Sequence, residues 1–182
     1  DSKEIARRWE EEFSVEGDFI PYGGDETAEL PLEAGLSSHG YILLVARFVP
    51  ENSVPEFVTA AAKLAETWPG VIVGSSGYGG EIDDQVAALQ ASNPKVKWLG
   101  HISDDSRLHA LWQHAGVYFH GHSVGGTNPA LVQAMACGAP IVARDTAYNR
   151  EVIGADGVYV APTSEAIADG IAKVMNDHSL QR

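Results

Sequence analysis

The chain has 182 residues, 45% hydrophobic and 20% charged, the balance of an ordinary globular domain with enough length for a proper core. Lys and Arg number 12 against 25 Asp and Glu, a net charge of −13, which argues against a general nucleic-acid binder because phosphate backbones need a basic footprint. A single cysteine, Cys137, rules out a disulfide framework, and no apolar run approaches the ~20 residues of a membrane span.

Ser2 to Phe13 reads as a short helix, with Ile5, Trp9 and Phe13 on one face. Asp18 to Tyr22 reads as a short strand ended by Gly23 and Gly24, and Asp25 to His39 as a loop. Tyr41 to Ala46 (YILLVA) is a continuous apolar run, which fits an interior parallel strand. Arg47 follows it, and a helix runs over Val54 to Trp68 with Pro55 in its first turn. Val71 to Val73 is the next strand and ends in GSSGYGG. A helix over Glu81 to Gln90 and a strand over Val96 to Leu99 come next. Ser103 is placed to cap a helix over Asp104 to His114.

His114 to Arg144 is the organising stretch. Val117 to Phe119 reads as a buried strand, and His120 to Gly126 holds three glycines in seven residues, a loop. Thr127 or Asn128 caps a helix that begins at Pro129 and stops at Gly138, and Ile141 to Ala143 resumes as a strand. A strand, glycine loop and helix in series gather free amides and the positive helix end at one spot, which suits a phosphate. An ordinary strand-to-helix loop accounts for the same residues equally well. A short helix at Tyr148 to Ile153, a strand at Val158 to Val160 and a helix at Ser164 to Asn176 complete the chain.

Strands alternate with helices, so the expected class is α/β: a Rossmann-like, doubly wound parallel sheet with helices on both faces. Ligands of such sheets bind beyond the strand C-termini. Arg47, Gly74 to Gly77, His101 and Gly121 to Asn128 should therefore share one edge. The five histidines from His101 to His122 fit a polar site edge better than a metal centre, since their spacing does not converge three or four ligands. Asp83, Asp84, Asp104 and Asp105 fall in first turns of helices and read as dipole partners. Cys137 reads as a small buried hydrophobe, and a lone thiol fits a reducing, cytoplasmic setting. The opening residues, DSKEIARRWEEEF, are polar and charged and do not read as a secretory leader.

YILLVARFVPENS, VIVGSSG, VKWLGHISDDSRLHALWQHAGVYFH and PALVQAMACGAPIVARDTAYNREVI, preceded by FIPYGGD, resemble the nucleotide-sugar-binding half of group-1 (family 4) glycosyltransferases over roughly residues 18–177. Within the family the loops are most similar to those of rhamnosyltransferases. The resemblance implies the C-terminal half of a GT-B fold. Residues 1–182 then form one donor-binding domain with residues 1–17 as a lead-in helix near an interdomain hinge, and the acceptor half lies elsewhere. It also implies transfer of a hexose from a nucleoside-diphosphate sugar to a hydroxyl acceptor with retention of configuration, without metal or other cofactor. The implied partners are the sugar donor and, through the other half, a saccharide or lipid-linked saccharide at the inner face of the membrane. An isolated half is expected to bind donor and hardly turn over.

The family's diphosphate-binding Arg matches Arg47, while Asn52 stands where the family has a Lys. Two family glutamates, one beside the sugar and one on the ribose, are matched by Gly125 and Gln133. His101 and Ile102 match the loop that touches the base, Ser75 and Ser76 the loop beside the phosphates, and Gly126, Thr127 and Asn128 the helix start facing the diphosphate. His122 is a candidate to offset the missing Glu near the sugar, so Arg47 and His122 are the expected catalytic groups. The alternatives are a degenerate, non-catalytic nucleotide-binding module and a GT-B nucleotide-sugar epimerase.

Overall fold

The computed structural model describes residues 1–177 and 179–181. Its centre is one six-stranded sheet, all parallel: β1 (Ile42–Val45), β2 (Gly70–Val73), β3 (Val96–Trp98), β4 (Val117–His120), β5 (Ile141–Arg144) and β6 (Val158–Val160). The helices are α1 (Lys3–Phe13), α2 (Val54–Leu64), α3 (Glu81–Ser92), α4 (Asp105–Gln113), α5 (Pro129–Ala136), α6 (Ala147–Ile153) and α7 (Ser164–Asn176). The spatial strand order is β3-β2-β1-β4-β5-β6, so the winding reverses between β1 and β4. Leu43 pairs with Val71 on one side and with Tyr118 on the other.

β1 is apolar at every position because both of its faces are covered. Ile42 and Leu44 pack with Phe119 under α2, α3 and α7. Leu43 and Tyr118 pack with Val71 under α4 and α5. Phe57 of α2 stacks on Phe119 with ring centroids 5.5 Å apart. Side chains of this size, fully buried, each contribute about 1.5–3 kcal/mol. The helix starts are capped as local chemistry dictates: Ser2 on α1, Asn128 on α5, Thr146 on α6 and Thr163 on α7 accept amide hydrogens of the first turns.

Two local expectations are corrected. Asp104, not Ser103, caps α4, accepting from the amides of Ser106 and Arg107. Its carboxylate reaches both amides and is favoured at the positive helix end. No strand forms at Asp18–Tyr22; the segment is irregular, with Ile20 74% exposed. β-forming residues make a strand only where a neighbouring strand and a buried face await them, and this segment has neither. The amphipathic face expected of α1 buries nothing fully: Trp9 and Phe13 pack on each other and stay more than half exposed. Cys137 is buried, as its apolar neighbourhood suggested.

Candidate functional site

The parallel sheet sends every strand-to-helix loop to one edge. At that edge, centred on the reversal between β1 and β4, lies an open cleft of ≈ 680 Å³. The size suits a small-molecule ligand. The β1 loop contributes Arg47 and Asn52, the β2 loop Gly74 to Gly77, the β3 loop His101 and Ile102, and the β4 end His120, His122 and Asn128.

Main chain closes the floor. Gly74 holds a φ of +121°, and a Cβ there would stand 1.8 Å from the Ala46 carbonyl oxygen. Only glycine lets the β1 and β2 loops approach this closely. Gly121 sits under the same constraint from the other side, where a Cβ would meet the Asn52 carbonyl oxygen at 2.2 Å. Ser76 shapes the β2 loop: its amide donates to Asp83 Oδ1 at 3.2 Å and its hydroxyl to the Gly79 carbonyl at 3.0 Å.

Arg47 is exposed in the cleft, and among the described residues it is in no ion pair. Arg7, Arg8, Arg107 and Arg150 all pair with carboxylates. An unpaired guanidinium in a strongly acidic chain is a ready anion partner.

The β4 side is built from side chains. Asn52 Nδ2 donates to the Arg47 carbonyl at 2.8 Å, and Asn52 Oδ1 lies 2.7 Å from His122 Nδ1. Asn149, buried, donates to the carbonyls of His122 and Arg144. Arg144 donates to Ser53 Oγ, which donates to the Gly121 carbonyl. His120 is buried against Tyr118, whose hydroxyl lies 3.0 Å from Nδ1, while its Nε2 has no partner. Burial, helped by nearby His122, pushes His120 down from 6.5 to about 3. Burial chiefly, with the Arg47 charge, also pushes His122 down, and both rings are neutral at pH 7.

The structure therefore gathers Arg47, Asn52, Ser75, Ser76, His101, Ile102, His122 and Asn128 in one cleft. Gly126, Thr127 and Gln133 do not line it, and Gly125 borders it beside His122 Nε2. Gln133 is turned to the N-terminal segment, accepting from the Asp25 amide at 2.9 Å and donating to its carbonyl at 3.0 Å. Gly126 and Thr127 lie under the start of α1: Thr127 donates to the Asp1 carbonyl, and a Cβ on Gly126 would strike Asp1 and Ser2. Asn128 keeps its carboxamide oxygen on the Ala130 amide as the α5 cap. The start of the chain thus lies against Gly126 and Thr127, while Asn128 holds its side chain on the α5 cap. Ser53, Arg144 and Asn149 were missed in the sequence as parts of this site, while His120 belongs to the histidine cluster read as a polar site edge. Arg144 carried the same signal as Arg47, a cation at a strand C-terminus. Among the described residues no group of three or more His, Cys, Asp or Glu is placed to hold a metal ion.

Residues 35–182 match the family of glycosyl transferases group 1. The chain belongs to this family. It is 30% identical to a phosphatidyl-myo-inositol mannosyltransferase of Mycolicibacterium smegmatis over 182 residues, covering 94% of this chain and 45% of that protein. It is 24% identical to the O-antigen chain mannosyltransferase B of Escherichia coli, covering 89% of this chain and 44% of that protein. The chain thus spans under half the length of the curated relatives it matches. Among solved structures, S. aureus TarM, in a complex that includes UDP, superposes with a TM-score of 0.76 at 17% identity, over 99% of this chain and 37% of that one. The pneumococcal O-GlcNAc transferase GtfA, with UDP and GlcNAc, gives 0.69 at 19% identity over 98% of this chain and 37% of that one. The fold is the C-terminal half of a GT-B glycosyltransferase. These relatives are mannosyl- and N-acetylglucosaminyltransferases by name, so they do not single out the rhamnosyltransferases that the loop sequences resembled. No helix among the described residues is long and apolar enough to cross a membrane.

Proposed function

We propose that this chain is the donor-binding half of a retaining hexosyltransferase. It holds a nucleoside-diphosphate sugar in the cleft between the β1, β2, β3 and β4 loops. The observation that carries the reading is Arg47, a cation free of ion pairs among the described residues, facing that cleft at the winding reversal of the sheet. In this reading the base lies at the His101 and Ile102 end, and the diphosphate lies across Arg47 and the amides of Gly74 to Gly77. As the bond to the sugar breaks, negative charge develops on the diphosphate, and Arg47 stabilises it in place. The acceptor hydroxyl, brought by the other half, passes its proton to the leaving diphosphate on the same face. Gly125 and Gln133, which carry no carboxylate, favour a second reading: a binding module that keeps the donor and has lost transfer.

Calorimetric titration with UDP, GDP and dTDP tests the donor site. One base is expected to bind preferentially, and Arg47→Ala is expected to weaken it by roughly ten- to a hundredfold, the size of a lost charge-assisted hydrogen bond. Equal affinity in Arg47→Ala would remove the diphosphate from this cleft. Donor binding without transfer in the longer protein would decide for the second reading.

A further inference from the structure

Asn52 sits between two groups whose hydrogen-bonding roles are not symmetric. The Arg47 carbonyl can only accept, so the Asn52 amide must turn its NH₂ there, at 2.8 Å. Its carboxamide oxygen is then the atom 2.7 Å from His122 Nδ1. That oxygen can only accept, so Nδ1 must carry the hydrogen. A neutral ring with hydrogen on Nδ1 leaves a bare lone pair on Nε2. Burial and the Arg47 charge both favour the neutral ring, against the Val124 backbone and Glu51, which favour the charged one.

Nε2 faces Gly125. A Cβ built on Gly125 would lie 3.8 Å from His122 Nε2, its nearest neighbour beyond Val124 and Gly126. Gly125 also has a φ of +88°, a conformation that other residues rarely adopt. Glycine there puts no side chain in front of Nε2. A lone pair in that place repels a phosphate oxygen, which also only accepts, and it matches a hydroxyl. The unpartnered Nε2 of buried His120 lies on the same side of the cleft, with the two rings 6.1 Å apart.

We infer that Asn52 is a positioning residue that locks His122 in its Nδ1–H form, so that His122 Nε2 accepts a hydrogen bond from a hydroxyl of the transferred sugar beside Gly125. The sugar contact rests on the donor reading above. The locked ring does not. The lock couples the two ends of the ligand, because the Arg47 loop that meets the diphosphate also sets the hydrogen on the ring that meets the sugar.

Two measurements on this chain separate the two claims. Long-range nitrogen–proton spectra of the labelled imidazoles at neutral pH are expected to show His122 in the Nδ1–H form alone. Asn52→Leu is expected to give a mixture or the Nε2–H form, with the chemical shifts of core methyl groups reporting that the variant is folded. An Nε2–H ring in the parent chain would overturn the inference. Calorimetry then compares UDP with UDP-glucose, GDP with GDP-mannose and dTDP with dTDP-glucose. The gain in affinity from the sugar is expected to drop about three- to tenfold in His122→Ala and in Asn52→Leu, and to recover partly in His122→Gln, whose amide oxygen can accept. An undiminished sugar gain with intact nucleotide binding would overturn the inference and leave the donor reading standing. A parent chain that binds none of these nucleotides, with the Nδ1–H ring in place, would overturn the donor reading and the sugar contact together.

Discussion

The two glycine-rich loops, Gly74 to Gly80 after β2 and Gly121 to Gly126 after β4, look alike in composition and are built by different means. Each begins with a glycine pressed against a neighbouring backbone, Gly74 on Ala46 and Gly121 on Asn52. Beyond that point they diverge. In the β2 loop Gly77, Gly79 and Gly80 all have positive φ and face open space, and the chain is held mainly by Ser76 and Asp83. In the β4 loop side chains from three other elements converge: Asn52 on His122, Asn149 on the His122 carbonyl, and Ser53 with Arg144 on the Gly121 carbonyl. A loop that only has to offer amides can be shaped by glycine. A loop that has to aim side chains needs partners that hold them.

The largest effects are expected where the loops agree. Gly74→Ala and Gly121→Ala each drive a Cβ into a carbonyl oxygen, and each should remove more than ~3 kcal/mol of stability in chemical denaturation. Gly77→Ala, with the same sign of φ and open space around it, should lose only about 1 kcal/mol. Equal losses at Gly74 and Gly77 would mean that conformation alone, and not close approach, selects glycine there.

His120 distinguishes the β4 side by pH. The unfolded chain takes up a proton near pH 6.5, while the folded ring, buried and beside His122, resists until about 3. The stability from the neutral ring is therefore complete above 6.5 and is lost as pH falls through the window down to 3. The loss is expected to reach up to ~1.4 kcal/mol per pH unit, and His120→Phe should flatten it. An unchanged acid slope in His120→Phe would place the burial elsewhere.

Smaller effects probe the side-chain ties. Asn149→Ala leaves two carbonyls without their donor and should remove about 2 kcal/mol. Amide exchange should quicken in residues 121–126 and stay unchanged in residues 74–80. Asn128→Ala removes only the α5 cap and should lose about 1 kcal/mol by thermal melting.

Most of the fold was legible from local pattern. Each apolar run became a strand within a residue or two, because a parallel strand covered on both faces must be apolar throughout. The stop at Gly138 and the cap at Asn128 are also local chemistry. Arg47, Ser75, His101, His122 and Asn128 could be assigned to one edge because a parallel sheet puts every strand C-terminus on the same side. What pairing would do to individual side chains was not legible. Asn52 and His122 are 70 residues apart and meet only because β1 and β4 are neighbours. Gln133 is 108 residues from Asp25, whose backbone takes its amide, and Asp18–Tyr22 has strand-forming residues but no strand beside it. Periodicity and capping act within a few residues and can be read along the chain. Partners brought together by strand order depend on the whole sheet, and only the folded arrangement names them.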